Sequence, residues 1–413
     1  MRINNIVILA ISLICCFIAS EAFVRYFVSY SGKHGLEQGY FSIPLAKKGF
    51  MIPPYKIDIA GIEKQIEQFK KSTNSTLIYD SDLGWTYRPS TDSSSSSFSN
   101  IHNQDGIRAA SVETVYKPSP PPHHLRIAIF GDSFSHGDGV PFSRTWGDKL
   151  EKSLTSLGVK AQVLNFGVGG YGMDQAYLRY KKVGKQFSPH IVIFGFAVEN
   201  MLRNLNIFRN IYKRTQRGII LSKPKFILGQ NSLKIVNQPT IDPDLIPHIL
   251  SNLATSDLGH HETFYSTAQY ESQWWHASKM ICLVYATFQK LKLITFSPQS
   301  EASQLTIQII QKFRDEVEYN GGVFVVVHLP PKTHLPRYIN EGSFKYEDML
   351  RRLADLTNLV RPESNLVKQA DESSIDSLYE DHYSPLGHEI IAEDVSHYLY
   401  NTIKVDHLIS NTD

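Results

Sequence analysis

A serine at the end of a buried strand and a histidine just before a closing helix are the residues in this chain best placed for covalent chemistry. The segment Ile127-Ala128-Ile129-Phe130-Gly131-Asp132-Ser133-Phe134-Ser135 runs from an apolar stretch into a turn. A serine hydroxyl is a weak nucleophile at its free pKa and needs a base beside it. A strand-end turn exposes that hydroxyl, and the start of a following helix favours developing negative charge. Far downstream, Glu380-Asp381-His382-Tyr383-Ser384-Pro385-Leu386-Gly387-His388 offers an imidazole with carboxylates directly before it. An imidazole oriented by an acid is what a catalytic triad requires. Gly-Asp-Ser alone is a common turn, so its weight comes from the pairing with His382.

Two other patterns compete for attention. Gly167-x-Gly169-x-x-Gly172 formally matches a dinucleotide fingerprint. The acidic residue at the next strand end, Glu199, stands further on than that motif expects, and the reading leaves Ser133 and His382 unused. The pairs His123-His124 and His260-His261 have no further ligand at metal spacing and read as solvated loop residues. Neither a metal nor an organic cofactor is therefore expected.

Positioning elements follow from the pattern around these residues. Leu125 to Phe130, Ala161 to Phe166, His190 to Val198 and Gly322 to His328 read as buried strands. Trp146 to Leu157, Met173 to Phe187, Gln304 to Tyr319, Tyr346 to Leu356 and Ile390 to Tyr400 read as helices between and after them. Strands separated by single helices imply an α/β domain, a doubly wound parallel sheet with helices on both faces. This domain is assigned to 121–413, with an insertion at about 205–300. The insertion holds a β-like stretch around Phe226 to Val236 and a helical stretch with Trp274, Trp275 and Tyr285. Both tryptophans are expected near the mouth of the active site. Residues 27–120 read as a stalk and N-terminal extension, with a serine run at Ser93 to Ser97 and a proline-rich linker at Pro118 to Pro122.

In the first 26 residues, Arg2 precedes an uncharged stretch from Ile3 to Ser20, which then meets Glu21 and Arg25. This reads as a signal anchor that leaves the rest of the chain outside the cytoplasm, on the periplasmic or cell-surface side. The alternative is a signal peptide cleaved near Ser20-Glu21-Ala22, giving a secreted protein. Lys plus Arg (42) nearly balances Asp plus Glu (40), and no dense basic run is present, so nucleic acid is not an expected partner. Cys15 and Cys16 lie in the apolar run, and Cys282 stands by itself, which excludes a disulfide within the remaining chain.

The chemistry-bearing segments resemble the SGNH hydrolases, also called GDSL-like lipases and esterases. Gly131-Asp132-Ser133-Phe134 with Gly137-Asp138-Gly139-Val140 is similar to the first block of that family. Asn165-Phe166-Gly167-Val168-Gly169-Gly170-Tyr171-Gly172 is similar to the second, and His382 with Gly387 to the last. Asp82-Leu83-Gly84-Trp85 and Asn103-x-x-Gly106-x-Arg108 resemble the front extension of membrane-anchored members. The resemblance implies a flavodoxin-like three-layer fold and acyl-enzyme chemistry. Ser133 would be the nucleophile and His382 its base, and the amides of Ser133 and Gly170 would face an oxyanion. Two departures stand out. The third block normally ends in Asn-Asp, and here it ends in Glu199-Asn200, so the family asparagine falls on Glu199; the oxyanion role is assigned to Asn200. The family Asp-x-x-His position holds Tyr379, which leaves Glu380 or Asp381 to orient the imidazole, or a Ser-His dyad. The resemblance implies an esterase acting on acyl esters, such as those of cell-surface carbohydrate. Its alternatives are an O-acyltransferase of exported polysaccharide and a catalytically weak binding protein.

Overall fold

Leu125–Phe130 (β1), Ala161–Asn165 (β2), Ile191–Phe196 (β3), Val323–His328 (β4) and Asn358–Val360 (β5) form one parallel sheet in the order β5-β4-β3-β1-β2. Every residue of β1 and β3 is buried, which is why these strands read as continuous apolar runs rather than alternating ones. Successive side chains nevertheless point to opposite faces. Ile129 lies under helix Trp146–Ser156, where Gly147 lets the helix approach closely. Its neighbour Phe130 packs edge-on against Tyr180 of helix Met173–Lys182 and Phe313 of helix Glu301–Tyr319. Both faces are thus covered, and the sheet is doubly wound. The chain steps from β1 outward to β2 and then back across to β3. This order places the topological switch point between β1 and β3, where open α/β sheets bind their ligands beyond the carboxyl ends of the strands.

The computed structural model describes residues 2–31, 38–42, 49–73, 75–93, 100–212, 219–230, 232–294 and 296–405. Most of the serine run expected as a loop, 94–97, lies outside them. The chain divides into two compact units. The sheet belongs to Phe69–Ile207, Leu221–Pro243 and Phe296–Asp413. The other unit consists of Met1–Gln68, Phe208–Ile220 and Asp244–Thr295. The segment expected as a single insertion is therefore shared. The hairpin Lys225–Leu228 with Leu233–Val236 goes with the sheet, and Trp274, Trp275 and helix Lys279–Ile294 go with the N-terminal helix.

In the sheet-bearing unit the proline-rich linker is pinned by Arg126. This buried guanidinium donates to the carbonyls of Lys117, Pro118, Ser119 and Phe187 and to Gln162. Helix Pro385–Tyr398 starts five residues before the expected Ile390, because Ser384 caps it through the Gly387 amide and Pro385 suits the first turn.

In the other unit, helix Arg2–Phe27 leads into an antiparallel sheet of Val28–Ser31, Gln38–Phe41 and Phe50–Ile52. Asn5–Phe27 is long and apolar enough to cross a membrane. A small core joins Val24, Phe41, Ile52, Cys282 and Ala286.

Candidate active site

The turn that carries Ser133 begins where β1 ends. Gly131 adopts φ +147°, and a Cβ there would stand 2.2 Å from Ser135 Oγ. Asp132 then caps the short helix Ser133–His136 by accepting the Phe134 amide at 2.9 Å. Gly137 ends that helix in the left-handed region. Ser133 is the first helical residue, so its N–H has no acceptor within the helix.

His382 reaches this turn from the far end of the chain. Its Nε2 lies 2.8 Å from Ser133 Oγ, and the Phe134 ring packs against the imidazole at 4.9 Å. The loop carrying it is fixed from beneath. Tyr379 and Tyr383 both donate to the Pro330 carbonyl, at 2.7 and 2.8 Å, and the Glu380 amide donates to the His382 carbonyl at 2.9 Å. Tyr379, which stands where the family acid would be, therefore points toward Pro330. Of the two candidate acids, Asp381 has Oδ2 3.5 Å from His382 Nδ1, with its side chain fully exposed. Glu380 touches His382 only through backbone. Among the described residues, no other carboxylate comes within ion-pair distance of this imidazole. Asp381 is beyond good hydrogen-bond length and screened by water. The geometry is that of a Ser-His pair with a loose acid, which corrects the expectation for Glu380.

A second correction concerns Asn200. Its amide nitrogen donates to Asp132 Oδ2 at 3.1 Å and to the Tyr171 carbonyl at 3.3 Å, and its Oδ1 accepts the Ala197 amide at 2.8 Å. Both amide hydrogens are spent, so Asn200 braces the Ser133 turn and has no hydrogen left to donate elsewhere. Arg203 completes the brace. It forms a buried ion pair with Asp132 and donates to the Tyr171 carbonyl at 3.0 Å. Glu199 opens helix Glu199–Arg203, half-buried, within electrostatic reach of Tyr346. Burial first, and then the charges of Glu199 and Glu363, push the Tyr346 phenol well up.

The glycine block lies against the same turn. Asn165 Nδ2 donates to the Ser135 carbonyl at 2.9 Å, and a Cβ on Gly167 would stand 2.5 Å from the His136 nitrogen. Gly170 takes φ +79° in the turn from Val168 to Tyr171. The front extension holds this loop. Trp85 Nε1 donates to the Gly169 carbonyl at 3.0 Å, the Gly169 amide to Tyr87 Oη at 3.3 Å, and Tyr171 Oη to the Trp85 carbonyl at 2.6 Å. Arg108 of the same extension donates to the Val140 carbonyl at 2.6 Å and meets His136 Nδ1 at 2.9 Å.

His136, at the end of helix Ser133–His136, is buried between Asp138 (Nδ1 to Oδ1 2.5 Å) and His102 (3.0 Å between Nε2 atoms). Burial, then the charge of Arg108, lowers its pKa to about 4. Burial also lowers His102 to about 2, aided by His136 and Arg108. Burial raises the Asp138 carboxyl, but the pull of His136, His382 and Arg108 outweighs it and leaves the pKa below its ordinary value. Sequence reasoning passed over Arg203, Trp85, Tyr87 and His136 as site residues. The front-extension resemblance pointed toward one of them, Trp85.

A cleft of about 570 Å³ lined by Pro120, His124, Lys185 and His190 lies at the amino ends of β1 and β3, opposite the end that carries Ser133. It is not the site of this chemistry.

No family model and no curated protein matches the chain. Among solved structures it is similar to a putative G-D-S-L family lipolytic protein from Desulfitobacterium hafniense, at 12% identity and TM-score 0.34, over 66% of this chain and 98% of that one. It is also similar to the acetyl xylan esterase AlAXEase, at 12% identity and TM-score 0.35, over 66% and 98%. A third similar structure is LAE5, an α/β hydrolase enzyme from the metagenome of Lake Arreo, Spain, at 12% identity and TM-score 0.37, over 66% and 93%.

Proposed function

We propose that this chain is a membrane-anchored serine esterase of the SGNH type. The observation that carries the reading is the 2.8 Å contact between His382 Nε2 and Ser133 Oγ, on a turn at the switch point of the sheet. Ser133 attacks an ester carbonyl while its proton passes to His382 Nε2. The oxyanion faces the backbone amides of Ser133 and Gly170. Collapse expels the alcohol, which takes the proton back from His382, and water repeats the sequence on the acyl-enzyme. The same intermediate serves hydrolysis and transfer to a sugar hydroxyl, and the family resemblance of the three blocks supplies carbohydrate esters as the substrate class. The helix Asn5–Phe27 supports the anchor, with the site on the outer side.

A specific observation favours a slower catalyst than the fold allows. With the Asn200 amide committed to Asp132 and Tyr171, one oxyanion donor is missing. Loss of one such donor typically costs 10²–10³ in turnover, on the order of 3–4 kcal/mol. The test is hydrolysis of a p-nitrophenyl ester series by the full chain in detergent, beside Ser133→Ala and His382→Ala. Turnover lost in both variants supports the reading. Equal inertness of all three across acyl lengths overturns simple esterase activity and leaves acyl transfer from a specific donor or a binding role.

A further inference from the structure

Helix Lys279–Ile294 is apolar on two opposite sides. Cys282 and Ala286 are buried in the small core with Val24, Phe41 and Ile52. On the other side Val284, Phe288 and Leu291 stand at i, i+4 and i+7, each more than 60% exposed. A surface helix of a water-facing protein carries polar residues on the face opposite its core, and a helix apolar all round belongs in a core or in lipid. Sixteen residues reach about 24 Å, short of a bilayer core but fitting for a helix lying in the interface.

What covers this face is indicated by its neighbour in the same unit. The Glu21 carboxylate, in the last turns of the apolar N-terminal helix, caps the start of Lys279–Ile294. It accepts the Ser278 hydroxyl at 2.7 Å and the Lys279 and Met280 amides at 2.9 Å each. Arg25 pairs with Glu21 at 2.6 Å and donates to the Ala277 carbonyl. The exposed helix therefore begins where the membrane-crossing helix ends. Aromatic side chains flank that point. Trp274, three residues before Ala277, is 86% exposed, and Tyr26, next to Arg25, is 83% exposed. Tryptophan and tyrosine collect at the headgroup level of bilayers.

We infer that helix Lys279–Ile294, with Trp274, is a second lipid-contacting element that lies in the outer membrane interface beside a retained N-terminal anchor. The inference rests on the anchor reading given above. It also requires the N-terminal helix to stay uncleaved, because cleavage after Ala22 would remove the Glu21 cap.

The test uses the full chain reconstituted in phosphatidylcholine vesicles. Phe288→Trp, a change at an exposed position, is compared with wild type so that the signals of the native tryptophans cancel. After an alkaline carbonate wash, retention on the vesicles reports the anchor. The introduced indole is then challenged with lipids brominated near the headgroup end of their chains and with aqueous iodide. We expect retention, loss of about half the added emission to brominated lipid, and no response to iodide. Retention with iodide quenching leaves the anchor standing and overturns the lipid contact. Protection from both quenchers also overturns it, because protein then covers the face. Release in the wash refutes the anchor reading, and the inference falls with it.

Discussion

Asp132→Asn removes the negative charge beneath the nucleophile while keeping the side chain's shape. Asp132 is fully buried and the Arg203 side chain is 7% exposed, so the pair lies in a region of low dielectric. Removing one partner of such a pair costs about 3–5 kcal/mol, because the remaining buried charge loses its close counter-charge. The asparagine oxygen still accepts from the Phe134 amide, so the cost belongs at the low end, about 3 kcal/mol, or roughly a hundredfold in the folding equilibrium. The new amide also confronts the donors of Arg203 and Asn200. Denaturant unfolding of the full chain in micelles measures the loss. Arg203→Met removes the other charge, and the double variant removes both. The double variant is expected to be more stable than Asp132→Asn, with a coupling of about 1–3 kcal/mol. Ester hydrolysis in the same preparations falls with the tilt of the Ser133 helix. Stability of Asp132→Asn within about 0.5 kcal/mol of wild type, or strict additivity of the singles, would refute the brace.

Other outcomes follow from the same geometry. Ser133→Ala and His382→Ala each lower p-nitrophenyl acetate turnover by about 10³-fold or more with the unfolding midpoint unchanged, read by initial rates beside denaturant curves. Glu380→Gln leaves turnover within about twofold, while Asp381→Asn lowers it by less than about tenfold, consistent with an exposed contact of 3.5 Å; a larger loss in Glu380→Gln would place that carboxylate on the imidazole after all. Tyr87→Phe strands the Gly169 amide and costs about 1–3 kcal/mol, with a fall in kcat rather than a rise in KM as the readout of a displaced glycine loop. His136 and His388, with pKa values near 4 and 3, stay neutral in the folded chain but protonate near 6.5 when unfolded. The unfolded state therefore binds more protons between pH 6.5 and about 4. Stability falls as pH drops through that window, by roughly 1.4 kcal/mol per pH unit for each such imidazole. A midpoint flat from pH 7 to 4 would contradict their burial as neutral groups.

The strands of the sheet were legible because parallel strands buried on both faces must be apolar throughout, as Ile191–Phe196 is. β5, Asn358–Val360, was not, since three residues at a sheet edge carry too little pattern to separate from a loop. The placing of Ser133 and His382 was legible because one follows a buried apolar strand and the other precedes a helix, and the fold brings the two side chains together. Asn200 was misread. Its identity as an amide suggested a donor to an oxyanion, but only the fold shows that Asp132 and Tyr171 take both hydrogens. The brace itself was hidden, because Arg203 next to Asn204 on a polar-looking helix gives no sign of being buried. The division of the insertion was equally hidden. Trp274 and Trp275 are expected near the mouth of the active site, and nothing local says that the helix after them, Lys279–Ile294, is capped by Glu21, more than 250 residues earlier.

Ser133 and the imidazole that serves it are separated by 249 residues of chain. Synthesis delivers Ser133 long before His382. Their contact forms only once the segment carrying His382 has docked, with Tyr379 and Tyr383 seated on Pro330. On the proposed mechanism, a chain truncated before His382 would be inactive, however well its early strands have paired. Ester turnover would thus report that helix Pro385–Tyr398 has closed onto the sheet.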